Sequence, residues 1–284
     1  NALITQNGKD LPRDPDIYGP QVFADYICEY IERKAGEPFF VYYPMVLTHD
    51  PFVPTPDSPA WEDPERRYEK DTAYFADMMA YTDKIIGQLE AKLRETGTWE
   101  NTLFIFTADN GTHRSILSST KSGIVRGAKG ENINTGNHVP FVFSWPEKMA
   151  GERTVEGVIS FADVLPTLCD VAGIEPSEYK TDGVSFLPLV TNEVSEVQEE
   201  VFIHYSPRWG NWGKNHSRWI MDGSYKLYRD GRFYCTEKDP LEHSPLTQLS
   251  KEEMDLKQRF QGILDEEEKD IPFSQNDTIF NVIR

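Results

Sequence analysis

Apolar strand-like runs and amphipathic helical patterns alternate along the first two thirds of this sequence. Helical spacing over residues 21–35 precedes the apolar run 38–47, and helical spacing over 69–96 precedes the apolar run 103–107. A third apolar run covers residues 139–145. Since these runs are apolar throughout, both faces of each strand are expected to be covered. The pattern predicts an α/β fold in which helices sandwich a mainly parallel sheet, with 103–107 as an interior strand.

The pattern changes after about residue 190. Residues 191–200 are acidic and lack strong periodicity, which predicts a linker. Four short strand-like runs, two Asp-Gly turns and one amphipathic helix follow. We therefore predict an α/β core over 1–190 and a small C-terminal α+β subdomain over 201–284, with antiparallel strands and a helix.

Net charge excludes some partners. The chain has 284 residues and a formal charge of −18, and both nucleic acid and anionic membranes need a basic surface. No stretch is long and apolar enough to span a membrane. An anionic substrate would have to be held by local cations.

Polar residues follow the predicted strands at the places where α/β sheets bind ligands. His49 follows the first apolar run, Asp109 and Asn110 follow the second, and Lys129 lies in a glycine-rich loop before the third. Carboxylate and amide oxygens suit calcium or magnesium. Asp-Asn-Gly is also a common turn, and a lone His or Lys in a loop is usually only exposed, so both interpretations remain open at this point.

The order of the motifs is more specific than any one of them. The series THDPF, FTADNG, GAKG, HVPFVFSWP, DVLPTLCDVAGI and DGVSFLPLV resembles the sulfatase family of the alkaline-phosphatase-like superfamily. The resemblance extends over nearly the whole chain, including the YKLYRDGRFYCTEKDPLEHSPL tail. It implies an alkaline-phosphatase-like fold and a sulfuric ester hydrolase.

The resemblance also assigns roles to residues. Asp109 and Asn110 match the positions that bind a divalent cation, usually calcium, with magnesium as the alternative. Lys129 matches the lysine that contacts the sulfate oxygens. His49 matches the histidine that contacts the sulfate and helps to protonate the leaving oxygen. His49 and Lys129 are therefore the expected catalytic and sulfate-binding residues.

The nucleophile of the family is not found in this sequence. Sulfatases use a formylglycine made from Cys or Ser in a C/S-x-P/A-x-R motif, and no Cys or Ser here fits it; Ser122 has Ile124 where Pro or Ala is required. The family also supplies two further metal carboxylates upstream of that motif. We expect a C-terminal portion of a sulfatase that lacks the nucleophile segment, or a remnant without turnover. The missing N-terminal segment is then a partner, and the isolated chain should hydrolyse aryl sulfates poorly.

Several residues are candidates for binding the rest of the substrate. His113 and Arg114 follow the metal motif and either face the substrate or form an exposed loop pair. The run 206–219 concentrates Trp and basic residues, which suit a sulfated sugar ring. Within it we predict sugar binding for Trp209 and Trp212, and packing for the third tryptophan.

Some alternatives remain open. His138 stands where many sulfatases have Arg, a change associated with bacterial branches, and loop packing or substrate contact would explain it equally. A phosphate or phosphonate ester hydrolase of the same superfamily would share the metal and the lysine. A non-catalytic binder of sulfated sugars would lack the nucleophile altogether. Family resemblance implies a periplasmic or secreted location.

Overall fold

The computed structural model describes residues 3–121, 123–149, 151–175, 178, 180–206 and 217–270. Contacts divide the chain into two compact units. The first comprises 1–106, 113–127 and 141–148, and the second comprises 107–112, 128–140 and 149–284. The domain bounds at 190 and 200 stay a prediction.

Two helices form the core of the first unit, as the spacing of their apolar residues predicts. Helix α1 is Gly19–Arg33 and helix α2 is Tyr74–Glu95. Gly97 follows α2 with φ 71°, a left-handed conformation that favours glycine and ends the helix. The facing stripes of the two helices bury a common cluster: Ala24, Cys28, Tyr81, Ile85 and Leu89.

The strands of the first unit are short. They are β1 (Thr5–Gln6), β2 (Lys9–Asp10), β3 (Phe104–Thr107), β4 (Leu117–Thr120), β5 (Gly123–Arg126) and β6 (Phe141–Ser144). β1 and β2 pair antiparallel, β4 and β5 form a second antiparallel hairpin, and β3 lies beside β6. Short 3-10 turns occur at Pro59–Glu62 and Trp99–Asn101. β3 and β6 confirm two predicted strands. The interior position predicted for β3 stays a prediction, since β6 is its sole neighbour among the described strands.

The strand predicted over 38–47 is wrong. No described strand pairs with this segment. Its side chains still alternate in exposure, as in an extended chain: Phe40 and Tyr42 are 66% and 79% exposed, whereas Tyr43 and Met45 pack on the α1–α2 cluster. An apolar run specifies such an alternation, but a strand also needs a neighbour to complete its hydrogen bonds.

The C-terminal part of the second unit is a four-stranded antiparallel sheet covered by a helix, which confirms the predicted meander and helix. The sheet order is β10 (Phe233–Cys235), β9 (Tyr225–Tyr228), β8 (Ser217–Met221) and β7 (Val201–Tyr205), and the helix is α6 (Lys251–Asp270). One face of the sheet packs on α6 through a fully apolar cluster: Ile220, Leu227, Phe233, Phe260 and Leu264.

Short helices complete the second unit: α3 (Asn134–Asn137), α4 (Val164–Val171), preceded by a 3-10 turn, and α5 (Leu187–Val190). The buried carboxylate of Asp163, directly before α4, binds donors from other segments of the chain. It accepts hydrogen bonds from the Ser160 N–H at 2.6 Å, the Val184 N–H at 2.9 Å and the Gln198 side-chain amide at 2.8 Å. Ser160 and Asp163 thus form a capping box, and the Asp163 carboxylate has two further donors.

Candidate functional site

Two loops of the second unit carry the predicted metal ligands and the predicted lysine. The Gly111 N–H donates to the Gly136 carbonyl at 2.9 Å, and the Lys129 N–H donates to the Thr112 carbonyl at 3.0 Å. Residues that are about 20 positions apart in sequence are thus joined by backbone hydrogen bonds. The structure brings the Asp109-Asn110-Gly111 segment and the Lys129 loop together, as the sequence predicts.

Two glycines permit this close approach. A Cβ atom on Gly111 would lie 2.1 Å from the Thr135 carbonyl oxygen, and one on Gly136 would lie 2.4 Å from the Glu131 carbonyl oxygen. Real side chains do not tolerate such contacts with backbone, so glycine is needed at both positions. Gly136, which lies within α3, was not among the residues that the sequence analysis singled out.

The side chains of Asp109 and Asn110 suit a hard cation. The Asp109 side chain is exposed, and none of the described residues forms a hydrogen bond or ion pair with its carboxylate. Two oxygen ligands are fewer than the six to eight or so that calcium takes. Within the described ranges, no three His, Cys, Asp or Glu side chains form a group that could hold a metal. The residues present therefore fit one part of a cation site.

His49 belongs to the first unit, so its place beside Lys129 stays a prediction. Its side chain is 62% exposed. The Nδ1–H donates to the Asp50 carbonyl oxygen at 2.6 Å. This hydrogen bond occupies Nδ1 and leaves Nε2 as the other ring nitrogen. Contact of the His49 ring with a substrate stays a prediction.

His113 and Arg114 also belong to the first unit and lead into the β4–β5 hairpin, which the sequence analysis missed. The Ser115 N–H donates to His113 Nδ1 at 3.2 Å, so the neutral ring carries its proton on Nε2. The ring of Phe52 lies edge-on to His113 at 5.9 Å. Arg114 is exposed, and its carbonyl accepts a hydrogen bond from Arg126 at 3.0 Å. His113 thus offers a donor, and contact of either side chain with a substrate stays a prediction.

Trp209 and Trp212 lie outside the described residues. Trp219 is 2% exposed and packs with Tyr228 and Tyr234, which confirms its predicted structural role. His138 is exposed, and its N–H donates to the Asn134 carbonyl at the end of α3. The function of the His138 ring stays open.

Comparison with known proteins decides the family. The sequence profile of the sulfatase family matches residues 5–174. The chain belongs to the sulfatase family. A second profile, described as the C-terminal part of N-sulphoglucosamine sulphohydrolase, matches residues 133–270. The resemblance noted from the motifs is therefore confirmed.

Relatives of this sulfatase family member are longer than the chain itself. Mouse (Mus musculus) steryl-sulfatase is 27% identical over 212 residues, which cover 69% of this chain and 33% of that protein. The chain thus spans about a third of the length of this curated relative.

Solved structures share the fold. Ps i-CgsB, solved in complex with k-i-k-neocarrahexaose, has a TM-score of 0.73 at 20% identity and covers 99% of this chain, which spans 61% of it. A phosphonate monoester hydrolase from Silicibacter pomeroyi has a TM-score of 0.64 at 18% identity, with 90% and 61% covered. These neighbours confirm the predicted fold class. No helix among the described residues has the length and apolar character needed to cross a membrane.

Proposed function

We propose that the protein containing this chain hydrolyses a sulfate ester of a saccharide with the help of a divalent cation, calcium by preference. The observation that carries the proposal is the pair of backbone hydrogen bonds that joins the Asp109 loop to the Lys129 loop. This pairing supports the proposal, because it joins the segment whose oxygens suit a cation to the loop that carries Lys129, in a chain whose net charge is −18. Local positive charge is what an anionic ester needs there.

Asp109 and Asn110 would supply two of the oxygen ligands of the cation. The bound cation would polarise the ester and offset its negative charge. The remaining ligands are expected from the upstream carboxylates that the resemblance implies. Within this chain, the hydrogen bond between Gly111 and Gly136 would hold the backbone that carries Asp109 and Asn110.

Lys129 would bind the sulfate oxygens as a point charge. No ion pair with another described residue engages its ammonium group. An ammonium already fixed in place stabilises the charge that grows on the leaving group and the sulfate without reorganisation during the reaction. Lys129 should therefore contribute to the rate more than to ground-state binding.

His49 would serve the leaving oxygen. With Nδ1–H held by the Asp50 carbonyl, the protonated ring presents its second N–H from Nε2. A general acid in this orientation donates one proton to the alcohol oxygen as the S–O bond breaks. The nucleophile is not assigned to a residue of this chain, since none of its Cys or Ser residues fits the formylglycine motif.

A saccharide is the proposed substrate. A fold neighbour was solved with a neocarrahexaose, and Trp209 and Trp212 of this chain are suited to stack on sugar rings. His113 and Arg114 are proposed to contact the same substrate. A periplasmic or secreted location follows from the family and belongs to the same proposal.

The test is kinetics and metal content of the full-length protein that contains this chain. Lys129→Ala should lower kcat by about a hundredfold or more while leaving the metal in place. Asp109→Ala should lose metal and turnover together. Lys121→Ala and Asp83→Ala, two exposed positions, are the matched controls and should change neither.

The competing ester class needs its own comparison. A phosphonate monoester hydrolase shares the fold, so the fold does not separate sulfate from phosphonate esters. The purified protein should be assayed on aryl sulfate, aryl phosphate and phosphonate monoester side by side. Higher kcat/KM on either phosphorus ester would overturn the sulfatase proposal. Saccharide binding without turnover of any ester would favour the non-catalytic binder.

A further inference from the structure

The second face of the C-terminal sheet carries polar side chains that the proposed chemistry does not use. Successive residues of a strand point to opposite faces. In β9, Tyr225 and Leu227 pack on the α6 side, so Lys226 and Tyr228 lie on the other face, together with Tyr205 of β7. This arrangement turns a lysine and two phenols away from α6.

Lys226 is buried beside the carboxylate of Glu242. Its side chain is 0% exposed and that of Glu242 is 2% exposed, and Nζ lies 2.8 Å from Oε1. Glu242 has φ 55°, a left-handed conformation that is uncommon outside glycine. A buried ion pair is no more stabilising than apolar residues of similar volume, and strained backbone tends to mark functional positions. Stability alone therefore does not explain the pair.

The group that these side chains share is a backbone carbonyl. Lys226 Nζ donates to the carbonyl oxygen of Asn132. The Tyr228 hydroxyl lies 3.0 Å from the same oxygen and 2.5 Å from Glu242 Oε2. The Tyr205 hydroxyl lies 3.4 Å from the Gly130 carbonyl oxygen. The single proton of the Tyr228 hydroxyl goes to Glu242, its nearer acceptor. Two donors of one sheet face, Lys226 Nζ and the Tyr205 hydroxyl, thus engage carbonyls three positions and one position after Lys129.

The Lys129 loop is consequently held from two sides. Its N–H is bound to the Thr112 carbonyl of the metal-ligand loop, and the carbonyls that follow it are bound to the sheet. We propose that Lys226 and Tyr228, with Glu242 as their acceptor, are positioning residues that fix the Lys129 loop so that the ammonium group meets the sulfate. This inference rests on the role proposed above for Lys129.

The test is a double-mutant cycle in the full-length protein. Lys226→Met combined with Glu242→Gln removes both charges at similar volume, so no lone charge is left buried. This change should lower kcat by roughly 10- to 100-fold when Lys129 is present, because small displacements of a reacting group are costly. In the Lys129→Ala background the same change should cost less than about threefold, since the group it positions is gone. Tyr228→Phe, which removes one hydroxyl, should show the same non-additivity with a smaller loss.

Leu264→Ala is the matched control. It weakens the opposite, α6 face of the sheet, so it should lower the melting temperature yet leave kcat/KM of the folded enzyme unchanged. Amide hydrogen exchange over 128–134 should quicken in the Lys226→Met/Glu242→Gln variant and not in Leu264→Ala.

Three outcomes distinguish the positioning role of Lys226 and Tyr228 from a purely structural one. Non-additive losses with faster exchange over 128–134 support the positioning role. Equal losses in both backgrounds, or none, overturn it and leave the sulfatase proposal standing. A Lys129→Ala variant that keeps its activity overturns both.

Discussion

Gly111 is the residue at which the Asp109-Asn110 segment meets the backbone of Thr135 and Gly136. The place of Asp109 and Asn110 after an apolar run is enough to predict a ligand-binding turn. The contact with Thr135 and Gly136 was not predictable, because a turn glycine and a glycine that admits a second loop look the same in sequence. The loops in question are joined by tertiary hydrogen bonds, which no local pattern encodes.

Gly111→Ala should therefore damage the site through sterics alone. The new Cβ would overlap the Thr135 carbonyl oxygen at 2.1 Å and approach the Gly136 Cα at 2.8 Å. We expect a loss of about 1–3 kcal/mol of unfolding free energy, typical of overpacking. Urea unfolding of the chain measures it. In the full-length protein the metal affinity should fall as well.

Gly87→Ala is the opposite case and serves as the control. Gly87 lies within α2, and a Cβ there would meet nothing within 4 Å. Alanine should stabilise the helix by about 0.5–1 kcal/mol. If both substitutions shift the unfolding midpoint in the same direction, the steric explanation for Gly111 is wrong.

At the scale of elements, Asp163 joins the start of α4 to two distant segments. Ser160 and Asp163 were recognisable as a capping box from their spacing, whereas the donors at Val184 and Gln198 were not, because they come from 21 and 35 residues further along. Local motifs are visible in sequence, and the long-range partners that complete them are not.

Asp163→Ala should be strongly destabilising. It leaves three donors without their acceptor around a side chain that is 1% exposed. Unsatisfied buried groups cost about 1–3 kcal/mol each, so a loss of at least about 3 kcal/mol is expected. Asp182→Ala, at an exposed position, is the control for loss of one negative charge. Equal thermal stability of the two variants would contradict the argument.

The segment 38–47 shows a limit of predicting strands from composition. Its composition is that of a buried strand, yet Phe40 and Tyr42 are largely exposed. Whether an apolar run becomes a strand depends on which chain lies beside it, and this information is not local to the run. The antiparallel meander was predicted correctly because its turns, at Asp222–Gly223 and Asp230–Gly231, bring each strand to its own neighbour in sequence.

For the whole molecule, buried tyrosines should set the alkaline limit of stability. Burial raises the pKa of Tyr43 to about 12 and also raises the pKa values of Tyr18 and Tyr228. An unfolded tyrosine ionises near pH 10 or so, so above that pH the unfolded chain binds fewer protons than the folded one. The contribution of these tyrosines to the free energy of unfolding is therefore constant below about pH 10. Above that pH, each of them lowers the free energy of unfolding by about 1.4 kcal/mol per pH unit.

The measurement is unfolding free energy against pH, with tyrosinate absorbance recorded alongside. Ionisation of the buried tyrosines should coincide with unfolding. Tyr18→Phe keeps the ring contacts with Trp61 and Tyr81 while removing one ionising group. The free energy of unfolding of this variant should fall less steeply with rising pH, by the contribution of one tyrosine. An unchanged slope would show that Tyr18 ionises without unfolding.

The two different faces of β9 limit where insertions and deletions can occur in related sequences. One inserted or deleted residue within Tyr225–Tyr228 would invert the strand, pressing Lys226 into the apolar layer beneath α6 and presenting Leu227 to the Asn132 carbonyl. A change of length in the exposed turn at Asp230–Gly231 would not change the face to which each β9 side chain points. Length changes among natural homologues should therefore accumulate in that turn and be absent from β9, whatever residues the strand itself has come to contain.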